Sequence, residues 1–142
     1  MQPLLLDSSI YITALRKADQ YTLSLRGLDS SRPVWLSAVV LQELYAGATG
    51  TAVAAVERLE YDFGKAGRLF APSNGDWARA GRLLARLAAR YDYEQVGKAR
   101  LTNDALIATS AGRLGILVIT KNVRDFARLE EFQHFRWQVK NF

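Results

Sequence analysis

The sequence predicts an α/β fold with a mostly parallel central sheet flanked by helices. Short apolar runs that indicate buried strands alternate along the chain with longer stretches of helical periodicity. The chain has 142 residues, of which 49% are hydrophobic, and it contains no cysteine. This length can bury a core without disulfides or a structural metal, so we expect residues 1–142 to form a single domain.

Local patterns place the elements of the first half. The apolar run from Pro3 to Leu6 predicts a strand that ends at Asp7. A helical pattern, in one piece or two, then extends from Ser9 to about Leu28 and ends near Gly27. A second strand, Val34–Ser37, follows Pro33, and Ser37 is a plausible helix cap. The helices predicted in the rest of this half are Ala38–Ala48 and Ala52–Lys65.

The second half continues the alternation. After a short strand at Arg68–Ala71, Ser73 or Asn74 should cap a long helix to about Tyr91. Its expected apolar stripe consists of Trp77, Ala80, Leu84, Leu87 and Tyr91. The elements predicted after this helix are a loop at Tyr93–Arg100, a helix from a Thr102 cap to about Leu114, a strand at Ile116–Thr120, a short helix at Val123–Leu129 and a strand at Phe135–Val139.

Charge and hydropathy restrict the function classes. The formal charge is +5, from 19 Lys and Arg against 14 Asp and Glu, which favours a polyanionic partner. No stretch approaches the roughly 20 apolar residues of a membrane span. Asp7 interrupts the first apolar run too early for a secretory signal, so we expect a cytoplasmic protein without membrane contact.

Several acidic residues come close to predicted strand ends. Ligand sites of open parallel sheets lie beyond the carboxyl ends of the strands. Asp7 directly follows the first strand, and Asn122 and Asp125 follow the strand that ends at Thr120. Glu43 lies in the helix after the second strand. Asp104 precedes its strand, in the first turn of its predicted helix, so its position depends on how that helix enters the sheet.

The surroundings of these acids favour a metal site. Asp7 alone could cap the following helix, and Asp104 alone could favour a helix N-terminus. Glu43 is harder to explain, because its helical neighbours are Val39, Val40, Ala46 and Gly47. A carboxylate on such a face costs several kcal/mol unless a cation or hydrogen bonds compensate. A divalent cation would also relieve repulsion among clustered carboxylates, and oxygen ligands select Mg²⁺ or Mn²⁺.

Four segments in order resemble the PIN-domain family, and VapC-type toxins of type II toxin–antitoxin pairs most of all. They are LLLDSS, SAVVLQELYAG, LTNDALIATSAG and VITKNVRDF, which together span nearly the whole chain. The resemblance implies a PIN-like three-layer sandwich and a Mg²⁺- or Mn²⁺-dependent endoribonuclease. It also implies RNA as substrate, a VapB-type antitoxin as partner and a homodimer.

The resemblance assigns roles to residues of this sequence. It makes Asp7, Glu43 and Asp104 the core metal ligands and catalytic residues, supported by Ser8, Asn103 and Thr120. Some PIN domains have an aspartate where this chain has Asn122, and Asp125 follows three residues later. We place Asp125 in the site, either on the metal or holding Asn122 and a water. Lys121 and Arg124 flank the acids and are candidates for contact with RNA phosphate.

Other interpretations remain open. A non-catalytic PIN-like module could bind RNA or a protein. A receiver or haloacid-dehalogenase-like phosphatase would need further acids beside Asp7, where Ser8 and Ser9 stand, and a structure-specific DNA nuclease usually carries extra elements.

An arginine stripe on the long helix is interpreted as a solvated face rather than an RNA track, and His134 as a surface residue. The stripe consists of Arg79, Arg82, Arg86 and Arg90. The three tryptophans, expected in the core, are Trp35, Trp77 and Trp137.

Overall fold

The structure is a computed structural model that describes residues 2–25, 31–92 and 99–140, except for the side chains of residues 99 and 100. Its strands are β1 (Leu4–Leu6), β2 (Val34–Ser37), β3 (Leu69–Phe70), β4 (Leu117–Thr120) and β5 (Trp137–Val139). Its helices are α1 (Ser8–Lys17), α2 (Ala38–Gly47), α3 (Thr51–Lys65), α4 (Asn74–Arg90), α5 (Ala99–Leu114) and α6 (Val123–Glu130).

The five strands form one sheet in the order β3-β2-β1-β4-β5, and every neighbouring pair is parallel. The predicted α/β class is therefore confirmed. Chain direction across the sheet reverses between β1 and β4, because β1 leads to β2 on one side while β4 leads to β5 on the other. In open parallel sheets, the crevice beyond the carboxyl ends at such a reversal is the usual ligand site.

Two groups of helices cover this sheet. Helices α1, α2 and α3 pack on one another, and so do α4, α5 and α6. Right-handed crossovers, which parallel strands almost always use, place the two groups on opposite faces and give a three-layer sandwich. Strands β1 and β4 are buried throughout and are apolar except for Thr120, because both of their faces are covered. No helix in the described ranges combines the length and apolarity needed to cross a membrane.

Two helices differ from their predicted bounds. Helix α1 ends at Lys17 rather than near Gly27, because Ala18 adopts a left-handed conformation with φ 53° and its N–H closes the last turn. Residues 26–30, which include Gly27 and Leu28, lie outside the described segments, as do residues 93–98 of the predicted loop. Helix α5 begins at Ala99, so Thr102 lies inside the helix instead of capping it, and Asp104 lies in the second turn.

Helix α4 buries an acid where the sequence predicted an aromatic side chain. Its inward residues are Asp76, Ala80, Leu83 and Leu87, whereas Trp77 is 56% exposed. The expectation that Trp77 belongs to the core is therefore wrong; Trp35 and Trp137 are partly buried and pack against the core. The rest of the predicted stripe is confirmed, because Ala80 and Leu87 are buried and Leu84 and Tyr91 pack against the core. Asp76 also completes a capping box with Ser73.

Asp76 joins α4 to α5 through a fork of charged hydrogen bonds. The guanidinium of Arg113 donates to both carboxylate oxygens of Asp76, at 2.8 Å from Nη2 and 2.9 and 3.1 Å from Nε. Arg79 adds a bond of 3.0 Å. These donors, Arg113 first, hold the pKa of Asp76 well below its usual range. The ion pair fixes the C-terminal half of α5 against α4, and α5 is the helix that carries Asp104.

The arginine stripe of α4 is solvent-exposed, as the sequence predicted. Two of its members have structural partners, because Arg79 binds Asp76 and Arg90 lies 3.7 Å from Glu131 at the end of α6. His134 is also exposed, in agreement with the prediction. The stripe therefore has a structural function at both ends of the helix.

We predict that Asp76→Asn lowers the free energy of unfolding by about 2 kcal/mol at pH 7, because the neutral amide loses charge-assisted bonds from two arginines. A lowered pKa means that this stabilisation is present above the unfolded value of 3.8 and is lost as the pH falls towards the folded pKa. Urea unfolding at pH 7 and pH 3 measures the difference in the free energy of unfolding between the wild type and the variant. This difference should be smaller at pH 3.

Arg86→Ala on the exposed face of α4 is the control, and its effect should stay within about 0.5 kcal/mol. If Asp76→Asn were as stable as the wild type at pH 7, the ion pair would not hold α4 to α5.

Candidate active site

Asp7 stands where β1 ends and α1 begins, and its side chain is only 3% exposed. Its Oδ1 accepts the backbone N–H of Ser9 at 3.0 Å, which caps α1, and it also accepts the hydroxyl of Ser9. Its Oδ2 accepts the hydroxyl of Thr120 at 2.5 Å. The helix-cap interpretation of Asp7 is thus correct, but the second oxygen is used for a contact with the end of β4.

Burial raises the pKa of Asp7 above its ordinary value of 3.8, although the hydrogen bonds from Ser9 and Thr120 act in the opposite direction. Hydroxyl and amide donors stabilise the carboxylate, but they carry no positive charge to offset the lost hydration. The raised pKa therefore marks a buried anion that a cation would stabilise, in contrast to Asp76 and its two guanidinium groups.

Thr120 and Asn122 connect Asp7 to two further acids. The Thr120 hydroxyl donates to Asp7 and accepts the backbone N–H of Asn122 at 2.9 Å. The side-chain nitrogen of Asn122 then donates to Oδ2 of Asp104 at 3.1 Å and to Oδ2 of Asp125 at 3.0 Å. The loop after β4 thus joins all three acids in one hydrogen-bond network.

Asp104 and Asp125 reach this network from α5 and α6. Asp104 is 4% exposed and lies on a face of α5 that is otherwise apolar, with Ala105 and Ala108 buried nearby. Asp125 lies in the first turn of α6 and is half-buried. Asp104 therefore belongs to the carboxyl edge of the sheet even though it precedes β4 in the chain, a placement that only the packing of α5 decides.

A cavity of about 580 Å³ opens beside this network. Glu43 of α2 lines it, and its Oε1 is shielded from solvent. Lys121 also lines the cavity, where its Nζ donates to the hydroxyl of Thr13 at 3.0 Å and its backbone N–H donates to the hydroxyl of Ser9 at 3.0 Å. Further lining residues are Ser8, Ile12, Arg16, Ala46 and Asn103. Acidic and basic groups therefore face the same opening.

The residues singled out from the sequence fall into three groups. One network contains Asp7, Asp104, Thr120, Asn122 and Asp125. The neighbouring cavity is lined by Ser8, Glu43, Asn103 and Lys121. The third group is Arg124 alone, which directly precedes Asp125 in the sequence and is exposed on α6.

Ser9 was missed by the sequence analysis, although it contacts Asp7 twice and holds the N–H of Lys121. A signal for it was present, because a hydroxyl two residues after a helix-capping aspartate is well placed to reach that carboxylate.

The donor set suits a hard divalent cation in kind. It consists of carboxylate, amide and hydroxyl oxygens, without sulfur or imidazole, around a buried acid whose pKa is raised. Among the described residues, no three acidic or imidazole side chains already stand in the arrangement of a metal site. The Asn122 amide lies between Asp104 and Asp125, so an ion bound between these two carboxylates would have to displace it.

The sequence also matches a family model, described as the PIN domain, over residues 4–131. The chain belongs to the PIN domain family. The match covers all the acids of the network and Glu43. The resemblance read from the four sequence segments is thus confirmed for this PIN domain. A comparison with curated protein sequences gives no match.

Solved structures of VapBC complexes share the fold of this PIN domain. A chain of VapBC2 from Rickettsia felis, bound to a DNA fragment from its promoter, matches with a TM-score of 0.67 at 21% identity, covering 99% of this chain and 100% of that chain. VapBC-1 from nontypeable Haemophilus influenzae gives 0.67 at 21% identity, with 97% and 98% covered. VapBC-5 from Mycobacterium tuberculosis, of the VapBC family of toxin–antitoxin systems, gives 0.55 at 25% identity, with 100% of both chains covered.

We predict that Asp7→Asn raises the free energy of unfolding at pH 7 in metal-free buffer. The raised pKa means that ionised Asp7 destabilises the fold at neutral pH, and that the cost disappears as the pH falls through the folded pKa towards 3.8. Urea unfolding of wild type and variant from pH 7 to pH 4 should show a gap that closes on acidification.

Asp19→Asn gives the matched control with the opposite sign. Hydrogen bonds from Thr22 lower the pKa of Asp19, so its replacement should destabilise the protein at pH 7. A loss of stability in Asp7→Asn at pH 7 would show that the burial cost of this carboxylate is already balanced within the protein.

Proposed function

We propose that the protein is a metal-dependent endoribonuclease, acting as the toxin of a type II toxin–antitoxin pair. The observation that carries the proposal is the network in which Thr120 and Asn122 join Asp7, Asp104 and Asp125 beside a cavity lined by Glu43 and Lys121. Membership of the PIN domain family and the shared fold of VapBC complexes support it.

Asp7, Glu43 and Asp104 would hold Mg²⁺ or Mn²⁺, with Asp125 supporting the site through Asn122. When bound, the cation would lower the pKa of a water molecule. It would also offset the negative charge that develops on the pentacoordinate phosphoryl group and the leaving oxygen. Each carboxylate oxygen can accept more than one bond, so Asp7 can retain Ser9 and Thr120 while it contacts the ion. Ser8 and Asn103 add neutral oxygens at the cavity wall.

The other residues of the site bind and orient the substrate. Lys121 and Arg16 line the same cavity as Glu43, so they can neutralise phosphates of a bound RNA strand. Arg124, exposed beside Asp125, can extend this contact. The hydroxyls of Ser9 and Thr120 fix both oxygens of Asp7 in advance, which reduces the reorganisation required when charge develops. An excess of five positive charges favours RNA as the partner.

An antitoxin of the VapB type is the proposed protein partner, and a second copy of the chain the other. An apolar cleft of about 440 Å³ adjoins the acidic cavity, shares Arg16 and Glu43 with it, and is lined by Ile12, Leu15 and Leu44. An antitoxin segment with apolar side chains could lie there and aim a basic residue at the acids.

Light scattering at micromolar concentration should give the mass of a homodimer, and the mass of a monomer would contradict the proposed pairing of two copies.

A non-catalytic PIN-like module that binds RNA or protein is the alternative. The network supports the nuclease over the module, because a binding module has no need to hold three carboxylates at one strand edge against their mutual repulsion. Cleavage assays on a structured RNA with Mn²⁺ or with EDTA test the choice. Binding without cleavage in both conditions would favour the module.

We predict that Asp104→Asn reduces Mn²⁺-dependent RNA cleavage at least about 100-fold, because the site loses a charged ligand that stabilises the growing phosphate charge. The folded state should persist, since the amide can still hydrogen-bond to the loop after β4. Single-turnover cleavage measures the loss, and circular dichroism verifies the fold.

Asp62→Asn on α3, which removes an exposed ion pair with Arg58, is the control and should cleave at the wild-type rate. Undiminished cleavage by folded Asp104→Asn would refute the nuclease assignment for this site.

We predict that Asp125→Ala weakens Mn²⁺ binding about 10- to 100-fold, because it removes the acceptor that holds one N–H of Asn122. Isothermal titration compares it with Glu130→Ala at the exposed end of α6. If Asp125 only stabilised the first turn of α6, the variant would lose about 1 kcal/mol of stability and keep the wild-type dissociation constant.

A further inference from the structure

The amide of Asn122 occupies the position between Asp104 and Asp125. One nitrogen, Nδ2, lies 3.1 Å from Oδ2 of Asp104 and 3.0 Å from Oδ2 of Asp125. We propose that this amide limits the active site to a single divalent cation by filling the place that a second cation would occupy. The proposal rests on the proposed nuclease function and specifies the metal stoichiometry of its site.

The chemistry of the amide group makes this position a donor site. The NH₂ group has two N–H bonds, and each carboxylate takes one of them. Two carboxylates can only accept, so the nitrogen and not the amide oxygen must face them. A nitrogen with this role has no lone pair to offer a cation. The bridge thus satisfies the two acids in the way a cation would, but without positive charge.

Contacts on the backbone side hold the amide in place. The N–H of Asn122 donates to the Thr120 hydroxyl, which itself donates to Asp7, and α6 begins at the next residue. If the side chain turned by half a rotation, its oxygen would face two carboxylates and both charge-assisted bonds would be lost. The wild-type loop therefore opposes the one rearrangement that would make Asn122 a ligand.

Nearby basic groups oppose a second cation as well. Lys121 and Arg16 both line the cavity next to the network. Like charges in one pocket disfavour one another, so these cations reduce the affinity for additional positive charge. A single ion held by Asp7, Glu43 and Asp104 leaves the bridge to Asp125 intact, and the bridge in turn keeps Asp104 oriented.

Asn122→Asp is the direct test, because the variant keeps the shape of the side chain while replacing a neutral donor by a third carboxylate. We expect wild type to bind one Mn²⁺ per chain and Asn122→Asp to bind two. Isothermal titration gives the stoichiometry, and electron paramagnetic resonance of unbound Mn²⁺ measures it independently of activity. Gln42→Glu is the matched control, since it adds one negative charge next to Glu43 on α2 but Gln42 is exposed and is not among the residues that line the cavity, and it should bind one ion.

Each result bears on the proposal separately from the nuclease function. Two ions bound by the wild type would overturn it and leave Mn²⁺-dependent cleavage untouched. One ion bound by folded Asn122→Asp would overturn it too. Two ions bound by Gln42→Glu would also overturn it, because the number of ions would then follow the added charge and not the amide. No Mn²⁺ bound by the folded wild type would contradict both proposals. If Asn122→Asp does not fold, the wild-type stoichiometry alone remains a test.

Discussion

The hydroxyl of Thr120 joins the ends of the two central strands. It donates to Asp7 after β1 and accepts the N–H of Asn122 at the start of the loop after β4. A hydroxyl suits this position because it is donor and acceptor at once. Asn122 then donates to Asp104 and Asp125, so the Thr120 hydroxyl is linked to every acid in the network, either directly or through Asn122. Parallel pairing of β1 and β4 brings the two strand ends together.

Of the three buried aspartates in the described residues, Asp76 and Asp7 have opposite electrostatic surroundings. Asp76 is matched by the guanidinium groups of Arg113 and Arg79, its pKa is lowered, and it stabilises the packing of α4 on α5. Asp7 receives only neutral donors, and burial raises its pKa. A buried carboxylate without a cationic partner destabilises the isolated protein, which indicates a requirement for binding rather than for folding. The first acid fixes α5, and α5 brings Asp104 to the second.

The sequence could predict the strands, the parallel sheet and the position of Asp7, because these depend on apolar runs and on chain direction at strand ends. Apolar runs and strand ends could not place Asp104 at this edge, since this depends on how α5 packs; only the family resemblance assigned it to the site. Trp77 and Asp76 show a second limit, because periodicity alone favoured the aromatic side chain, whereas α4 buries Asp76, the N3 residue of its capping box, and leaves Trp77 exposed. The contact of Ser9 with Asp7 is local in sequence, but a hydroxyl at that position has several possible partners.

The central claim is that the network at the carboxyl edge of β1 and β4 holds the catalytic cation. Anomalous diffraction from crystals grown with Mn²⁺ tests it directly, because the metal is located independently of any assay. The account predicts a peak within coordination distance of carboxylate oxygens of both Asp7 and Asp104. A fully occupied peak elsewhere on the protein, with none at this edge under saturating Mn²⁺, would contradict it.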